Sequence, residues 1–326
     1  MSKDKILITG ATGFIGSHLC ELALKKGYNI VAFDRYNINN DPGWLSEIKS
    51  KKNLNLILGD IRDYDSVFKV MKGCKSVIHL AALVGIPYSY VSPLAYLKTN
   101  LEGTYNVLES AKNLRLKNIV ITSTSEVYGS AKYLPMDETH SVNSQSPYAA
   151  SKASADQLSL SYFKSFNLPI KIIRPFNTYG PRQSNRAIIP SIINQCLKNK
   201  NKKIILGNTQ PTRDFSYVED TCEAFLKVLN NKRLFGQVVN VGANSNISIK
   251  DLAKRIFKIM KIDYSIKSSN LKKRPKSSEV DNLKCDNKKL KKNTNWKPKV
   301  SLEQGLKKTI EWIKYNQTKY KDNYTI

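Results

Sequence analysis

KILITGATGFIG, residues 5–16, carries a short apolar run straight into three spaced glycines. Ile6, Leu7 and Ile8 are bounded by a turn signal after only five residues, which reads as a buried strand. Gly10 permits a tight turn, and the backbone near Gly13 can approach a pyrophosphate. Gly16 lets the next helix pack closely on the strand. A helical pattern runs from Phe14 to Lys26, so Phe14, Ile15 and Gly16 open a helix whose free amides face an anion. A second strand, Tyr28–Phe33, ends at Asp34, 18 residues after Gly16. An acid at that spacing can hydrogen-bond both ribose hydroxyls of a dinucleotide and repel a 2′-phosphate. NAD is therefore favoured over NADP, and the adjacent Arg35 is the one feature pointing the other way.

Working outward, apolar strands alternate with helical patterns. Strands are expected at 54–58, 76–80, 118–122 and 170–173, with helices over 63–72, 93–114 and 148–166. This alternation predicts an α/β fold with a doubly wound parallel sheet of the Rossmann type. Beyond residue 175 the regularity fades. Helices are expected over 188–198, 218–230, 249–260 and 302–314, with strands at 203–206 and 238–241. The reading is an NAD-binding domain over 1–175, to which later segments such as 214–242 return. Residues 176–326 then form mainly a smaller α/β substrate-binding domain.

Composition narrows the function classes. Among 326 residues no stretch approaches the roughly 20 apolar residues of a membrane span, so no membrane partner is expected. The start, MSKDKILITG, begins a strand at once and lacks the parts of a signal peptide, which predicts a cytoplasmic protein. Cys20, Cys74, Cys196, Cys222 and Cys285 are scattered and are expected to be reduced. The three histidines, His18, His79 and His140, support neither a metal site nor a Ser-His-Asp triad. The net charge of +27 is mostly lysine spread along the chain. Its densest stretch, Lys267–Lys299, has 12 Lys or Arg against three acids but no aromatic interleaving, so nucleic acid is not the expected partner. A solvated lysine surface that helps attract an anionic substrate is the simpler reading.

The chemistry is signalled by SPYAASK and STSEVYG. Tyr148 and Lys152 stand one helical turn apart and share a face. An ammonium beside a phenol can lower its pKa from about 10 toward neutrality and make it a proton acceptor for a sugar hydroxyl. Glu126, just after a strand, offers a second proton transfer that a simple dehydrogenase does not need. Thr124 and Ser125 precede it at the strand end, where ligands bind in open parallel sheets.

Together these segments resemble the extended short-chain dehydrogenases/reductases. GATGFIG, Gly59-Asp60-Ile61-Arg62, HLAAL, STSEVYG, Tyr148-x-x-x-Lys152 and RPFNTYGPR occur in that family's order along nearly the whole chain. The chain is most similar to NAD-dependent nucleotide-sugar 4,6-dehydratases, especially those of legionaminic acid biosynthesis. AALVGIPYSYVSP, RPFNTYGPRQS and PTRDFSYVED carry that narrower likeness. The resemblance implies that Gly10, Gly13 and Gly16 hold the pyrophosphate and Asp34 the ribose. Asp60 and Ile61 would meet the adenine, and Leu80, Ala81 and Ala82 would line the cofactor cleft. Tyr148 would be the base, Lys152 would bind the nicotinamide ribose, and Thr124 would hold the sugar O4. Asn177, Arg182 and Arg213 would take the nucleotide diphosphate, with Ser125 also at the substrate.

The substrate implied is UDP- or GDP-N-acetylglucosamine, and the enzyme a homodimer joined through the helices around 94–108 and 148–166. Many family dehydratases carry Asp-Glu where this chain has Ser125-Glu126, a departure shared with GDP-mannose-type members. It leaves open which group protonates the departing hydroxyl. A UDP-glucuronate decarboxylase, a C4-epimerase and a non-catalytic dinucleotide-binding scaffold are the alternatives. For the decarboxylase, Arg182 or Lys272-Lys273-Arg274 would hold the substrate carboxylate.

Overall fold

The computed structural model describes residues 4–199, 201–269 and 274–320. Strand β1 (Lys5–Thr9) leads into α1 (Phe14–Lys25), and β2 (Asn29–Arg35), β3 (Leu54–Gly59), α2 (Tyr64–Met71) and β4 (Ser76–His79) follow. The helices α3 (Ile86–Val91), α4 (Pro93–Tyr96) and α5 (Gly103–Asn113) precede β5 (Asn118–Thr122), α6 (Pro147–Phe166) and β6 (Ile170–Pro175). Next come β7 (Asn177–Tyr179), α7 (Ile188–Lys198), β8 (Lys203–Leu206), β9 (Thr212–Arg213), β10 (Phe215–Tyr217) and α8 (Val218–Leu229). The chain continues through β11 (Gln237–Val241), β12 (Ile247–Ser248), α9 (Ile249–Met260), β13 (Ser265–Ser268), α10 (Lys288–Thr294) and α11 (Leu302–Tyr315).

Seven parallel strands make one sheet in the order β11-β6-β5-β4-β1-β2-β3. This is the doubly wound Rossmann topology, whose strand order reverses between β1 and β4. Alternate side chains of the central strands feed two cores, as the period of two in a strand demands. Ile6, Ile8, Ala32, Ile78 and Val120 pack with α1, α8 and the C-terminal helices. Leu7, Val31, Val77, Ile119 and Ile121 pack with α2, α5 and α6. The C-terminal part contributes three short strand pairs, β7 with β10, β8 with β13 and β9 with β12.

Lys171, in β6, lies wholly inside, where its ammonium donates to Asn118 Oδ1 at 2.9 Å and to the Leu229 carbonyl at 2.6 Å. All five cysteines are free and buried. Among the described residues no helix is long and apolar enough to cross a membrane.

The helix expected over 93–114 differs from the expectation. A π turn at Leu97–Glu102 separates α4 from α5. It places Asn100 where its amide accepts from Leu83 N (2.8 Å) and donates to Leu83 O (3.0 Å) and Ser151 Oγ (2.9 Å). That side chain clamps the segment after β4 to α6, which accounts for a wide turn in mid-helix.

Candidate active site

The glycine turn lies at the reversal point. Gly10 has φ +68°, and a Cβ there would stand 2.8 Å from Ala81 N. A Cβ on Gly16 would stand 2.1 Å from Gly10 O, so α1 abuts the turn with no room for a side chain. Helix α1 starts at Gly13 with no side-chain cap and no acid in its first turn, which leaves its amides to an anion. Asp34 sits beside the turn, and its Oδ2 accepts from Thr12 N and Thr12 Oγ1, both at 2.7 Å. Thr9 Oγ1 accepts from Leu80 N and Ala81 N, which draws Leu80–Ala82 across from Gly10. Asp60, at the end of β3, is gripped by Arg62 at 2.5–3.1 Å, and those bonds hold its carboxyl below the usual range. Ile61 next to it packs against Gly103 of α5. This uncapped helix end beside a fixed acid fits a dinucleotide.

His79 is a structural residue, as the strand pattern suggests. It bridges Thr9 Oγ1 (2.8 Å) and Thr104 Oγ1 (3.2 Å), and burial lowers its pKa to about 3.

The chemical groups come from β5 and α6. Thr124 caps the single turn Ser125–Tyr128, where its hydroxyl accepts from Glu126 N at 3.2 Å. Ser146 caps α6 and Pro147 occupies its first turn, which sets Tyr148 at the helix start. The Thr124 hydroxyl hydrogen-bonds Tyr148, and the Tyr96 ring meets Tyr148 edge-on with centroids 6.2 Å apart. Ser125, Thr124, Tyr148 and Lys152 are all buried.

The spacing of Tyr148 and Lys152 predicts a phenol lowered toward neutrality, and burial acts in the opposite direction. Burial raises Tyr148 above its usual value, the Thr124 bond opposes this, and the charge of Glu126 adds to it. Burial also lowers Lys152, to about 8, with Asp156 opposing. Desolvation is a tertiary effect that a helical spacing does not reveal.

Beyond Glu126 lies a line of alternating charges. Arg274 Nη1 is 3.9 Å from Glu126 Oε2 and 4.0 Å from Glu279 Oε1, and Glu279 Oε1 is 3.2 Å from Arg213 Nη2. Arg213 is buried, and desolvation lowers its pKa. Arg274 Nη1 and Asn177 Nδ2 are buried atoms without a hydrogen-bond partner. Asn177 pairs across β7 and β10, next to Arg213 and Asp214, with its N–H on Asp214 O. Orphaned donors of this kind suit a polar, anionic ligand.

Arg182 is not part of this group. With φ +67°, it turns onto α1, where Nη2 donates to Glu21 Oε2 at 2.8 Å and Nη1 to Ser17 Oγ at 3.4 Å. Arg274, and not Arg182, stands beside Glu126 and Glu279. Its signal was an Arg-Pro inside a lysine-rich run, considered only for the decarboxylase alternative; Lys272 and Lys273 lie outside the described residues. Glu279 was missed altogether, as was Asp156, four residues after Lys152.

The sequence between residues 7 and 309 matches the family model described as GDP-mannose 4,6 dehydratase. The chain is 34% identical over 368 residues to the dTDP-D-glucose 4,6-dehydratase of Dictyostelium discoideum, covering 96% of this chain and 82% of that one. It is 32% identical over 324 residues to the UDP-N-acetyl-alpha-D-glucosaminuronate decarboxylase of Bacillus cytotoxicus, covering 96% and 98%. Its fold is similar to that of the UDP-glucuronic acid 4-epimerase of Bacillus cereus, solved with UDP-glucuronic acid and NAD. The TM-score is 0.88 at 32% identity, over 96% of this chain and 99% of that one. Three chemistries thus stand at nearly equal distance, and overall similarity does not choose among them.

Proposed function

The chain belongs to the NAD-dependent epimerase/dehydratase family of short-chain dehydrogenases/reductases, and on that premise we propose that it is a nucleotide-sugar 4,6-dehydratase. The cofactor is NAD. Residues 1–175 with 214–242 hold it, and the remainder mainly binds substrate. When bound, NAD supplies the hydride acceptor at C4 of the sugar and the donor at C6.

The chain's own residues do the rest. Thr124 Oγ1 holds the O4 hydroxyl and Tyr148 Oη takes its proton. The resulting 4-ketone acidifies the C5 hydrogen. Glu126 removes that proton and passes it to the C6 hydroxyl, which leaves as water; the adjacent Ser125 has no carboxyl to share this work. As C6 is reduced, C5 regains a proton, which balances the one Tyr148 took from O4, and the product is a 4-keto-6-deoxy sugar nucleotide.

Glu126 carries the reading. It is held on the turn after β5, close enough for its charge to act on Tyr148, and a C4-epimerase needs no base at C5. Arg213, Arg274 and Asn177 are the residues we assign to the diphosphate, since planar guanidinium forks pair with phosphate oxygens. The preferred substrate is UDP- or GDP-N-acetylglucosamine, acted on in the cytoplasm for legionaminic acid synthesis. A homodimer fits the exposed apolar side chains Val91, Leu94, Leu97 and Tyr105 on the helices before β5.

The second reading is decarboxylation, favoured by Arg274, whose orphaned Nη1 beside Glu126 could hold a C6 carboxylate. Incubation with a panel of UDP- and GDP-linked hexoses and hexuronates, read by mass, separates these. Loss of one water supports the dehydratase; loss of carbon dioxide, or no mass change, refutes it. Glu126→Gln should still bind NAD yet lose water elimination by roughly 10²–10⁴-fold. Undiminished dehydration in that variant would sink the assignment.

A further inference from the structure

Tyr148, Lys152 and Asp156 are spaced four apart on α6 and share one face. Asp156 is only 1% exposed. Its Oδ2 is saturated, accepting from Ser123 Oγ at 2.7 Å, Arg174 Nε at 3.0 Å and Arg174 Nη2 at 2.9 Å. Its Oδ1 is buried with no hydrogen-bond partner. The Arg174 side of the pair is fixed in turn: the guanidinium lies 4.7 Å from the Tyr128 ring centroid, and Tyr128 Oη donates to Asn240 Oδ1 at 2.7 Å. Ser123 directly precedes Thr124, so the strand end that supplies Thr124 and Glu126 also anchors this carboxylate.

Such a pair is expensive to bury, and an acceptor left without a donor adds to that cost. Packing alone would be served as well by apolar side chains. The groups facing Lys152 are Tyr148 and Asp156 from α6 and His79 from β4, and His79 is held neutral by burial. Burial raises the Asp156 carboxyl, and Arg174 from β6 and Ser123 from β5 stand behind it and oppose that rise, while Glu126, Thr124, Tyr96 and Asp156 itself bear on Tyr148. Among the described residues, Asp156 is the one carboxylate whose charge bears on Lys152.

We propose that Asp156 is a positioning residue for the proton-transfer pair: locked by Arg174 and Ser123, it keeps Lys152 charged so that Tyr148 can give up its proton. This rests on the reading of Tyr148 and Lys152 as the pair that oxidises C4. Burial works against both members, raising the phenol and lowering the ammonium. A fixed anion one turn further along the helix counters the second effect. Two turns from Tyr148, its charge still reaches the phenol and raises it, so the support it gives the lysine is partly opposed at the base.

The test is Asp156→Asn, isosteric and uncharged, with Asp156→Glu to restore the charge. Lysine 13Cε NMR of the purified protein follows Lys152 directly, its resonance assigned by loss in Lys152→Arg. The wild type should titrate near 8. Asp156→Asn should titrate about one pH unit lower or more, and single-turnover C4 oxidation at neutral pH should fall about tenfold or more. KM for the nucleotide sugar should stay within about twofold, since binding groups are untouched. Asp156→Glu should regain the midpoint.

An unmoved Lys152 midpoint in Asp156→Asn overturns the proposal whatever the rate does. If that variant fails to fold with Arg174 left unpaired, Asp156→Asn with Arg174→Gln gives a neutral buried pair, and the same downward shift is expected. Tyr148→Phe separates the two claims. Retained C4 oxidation there would refute the assignment of the site, while the NMR midpoint would still judge Asp156.

Discussion

Replacing Lys171 by methionine should erase a pH dependence that the wild-type chain carries. Lys171 is fully enclosed between β5 and β11, no carboxylate among the described residues pairs with it, and burial lowers its pKa from 10.5 to about 7. In the unfolded chain it titrates near its ordinary value, so between those two pH values the unfolded chain holds a proton that the folded chain sheds. Stability contributed by this group therefore rises as pH rises through that window. At 1.36 kcal/mol per pH unit, the penalty is about 4 kcal/mol at pH 7 and about 2 kcal/mol at pH 9. Wild type should thus gain about 2 kcal/mol between pH 7 and pH 9 that Lys171→Met does not gain. The variant strips a donor from Asn118 and from the Leu229 carbonyl, costing roughly 1–3 kcal/mol. A neutral amine keeps both bonds, so this loss is equal at the two pH values and cancels. Urea unfolding of both proteins at both pH values, followed by tryptophan fluorescence, measures the difference. Equal pH increments for the two proteins would show that burial does not discharge this lysine.

Three further outcomes are expected. Gly16→Ala forces a methyl to within 2.1 Å of Gly10 O, so NAD affinity should fall about tenfold or more and stability by about 1–3 kcal/mol; titration and thermal unfolding matching wild type would refute the close packing of α1. Arg274→Gln should raise KM for the nucleotide sugar by roughly tenfold, whereas Arg182→Gln should cost mainly stability by freeing Glu21; the opposite split in steady-state kinetics would return Arg182 to the substrate. Leu94→Glu on the exposed apolar row should halve the mass seen by light scattering, and a wild-type protein already monomeric would end the dimer reading.

Much of the site was legible because its parts are local. Gly10, Gly13, Gly16 and Asp34 form one strand-turn-helix-strand unit, so spacing and residue type carry the geometry. Tyr148 and Lys152 are related by a helical turn, and Thr124 and Glu126 by a strand end. What stayed hidden depends on contacts between distant segments or on burial. Glu126 meets Arg274 only through the packed C-terminal part. Arg182 and Arg213 both come shortly after a strand, a Gly and a Pro, the first in a loop and the second in β9. Nothing in their sequence tells that a positive φ turns the first onto α1 while the second faces Glu279. Asp156 lies in mid-helix by its sequence, and only the packing of β6 beside α6 brings Arg174 onto it. The burial that opposes ionisation of Tyr148 is hidden for the same reason, since a neighbouring charge shows in sequence and dryness does not.

The π turn at Leu97–Glu102 has a consequence for the lengths this segment can take. Such a turn holds one residue more than the α-helical turn it replaces. Removing a residue would restore regular winding and slip the phase of the helix by about 100°. Tyr96 and the exposed Leu94 lie before the slip, while buried Thr104 and Val107 and exposed Tyr105 lie after it. The two halves would then disagree about which side is outside, and Asn100 would swing away from Leu83 and Ser151. The extra residue thus sets the registry between the cofactor-side clamp and the outward apolar row, and a deletion there should disturb both at once.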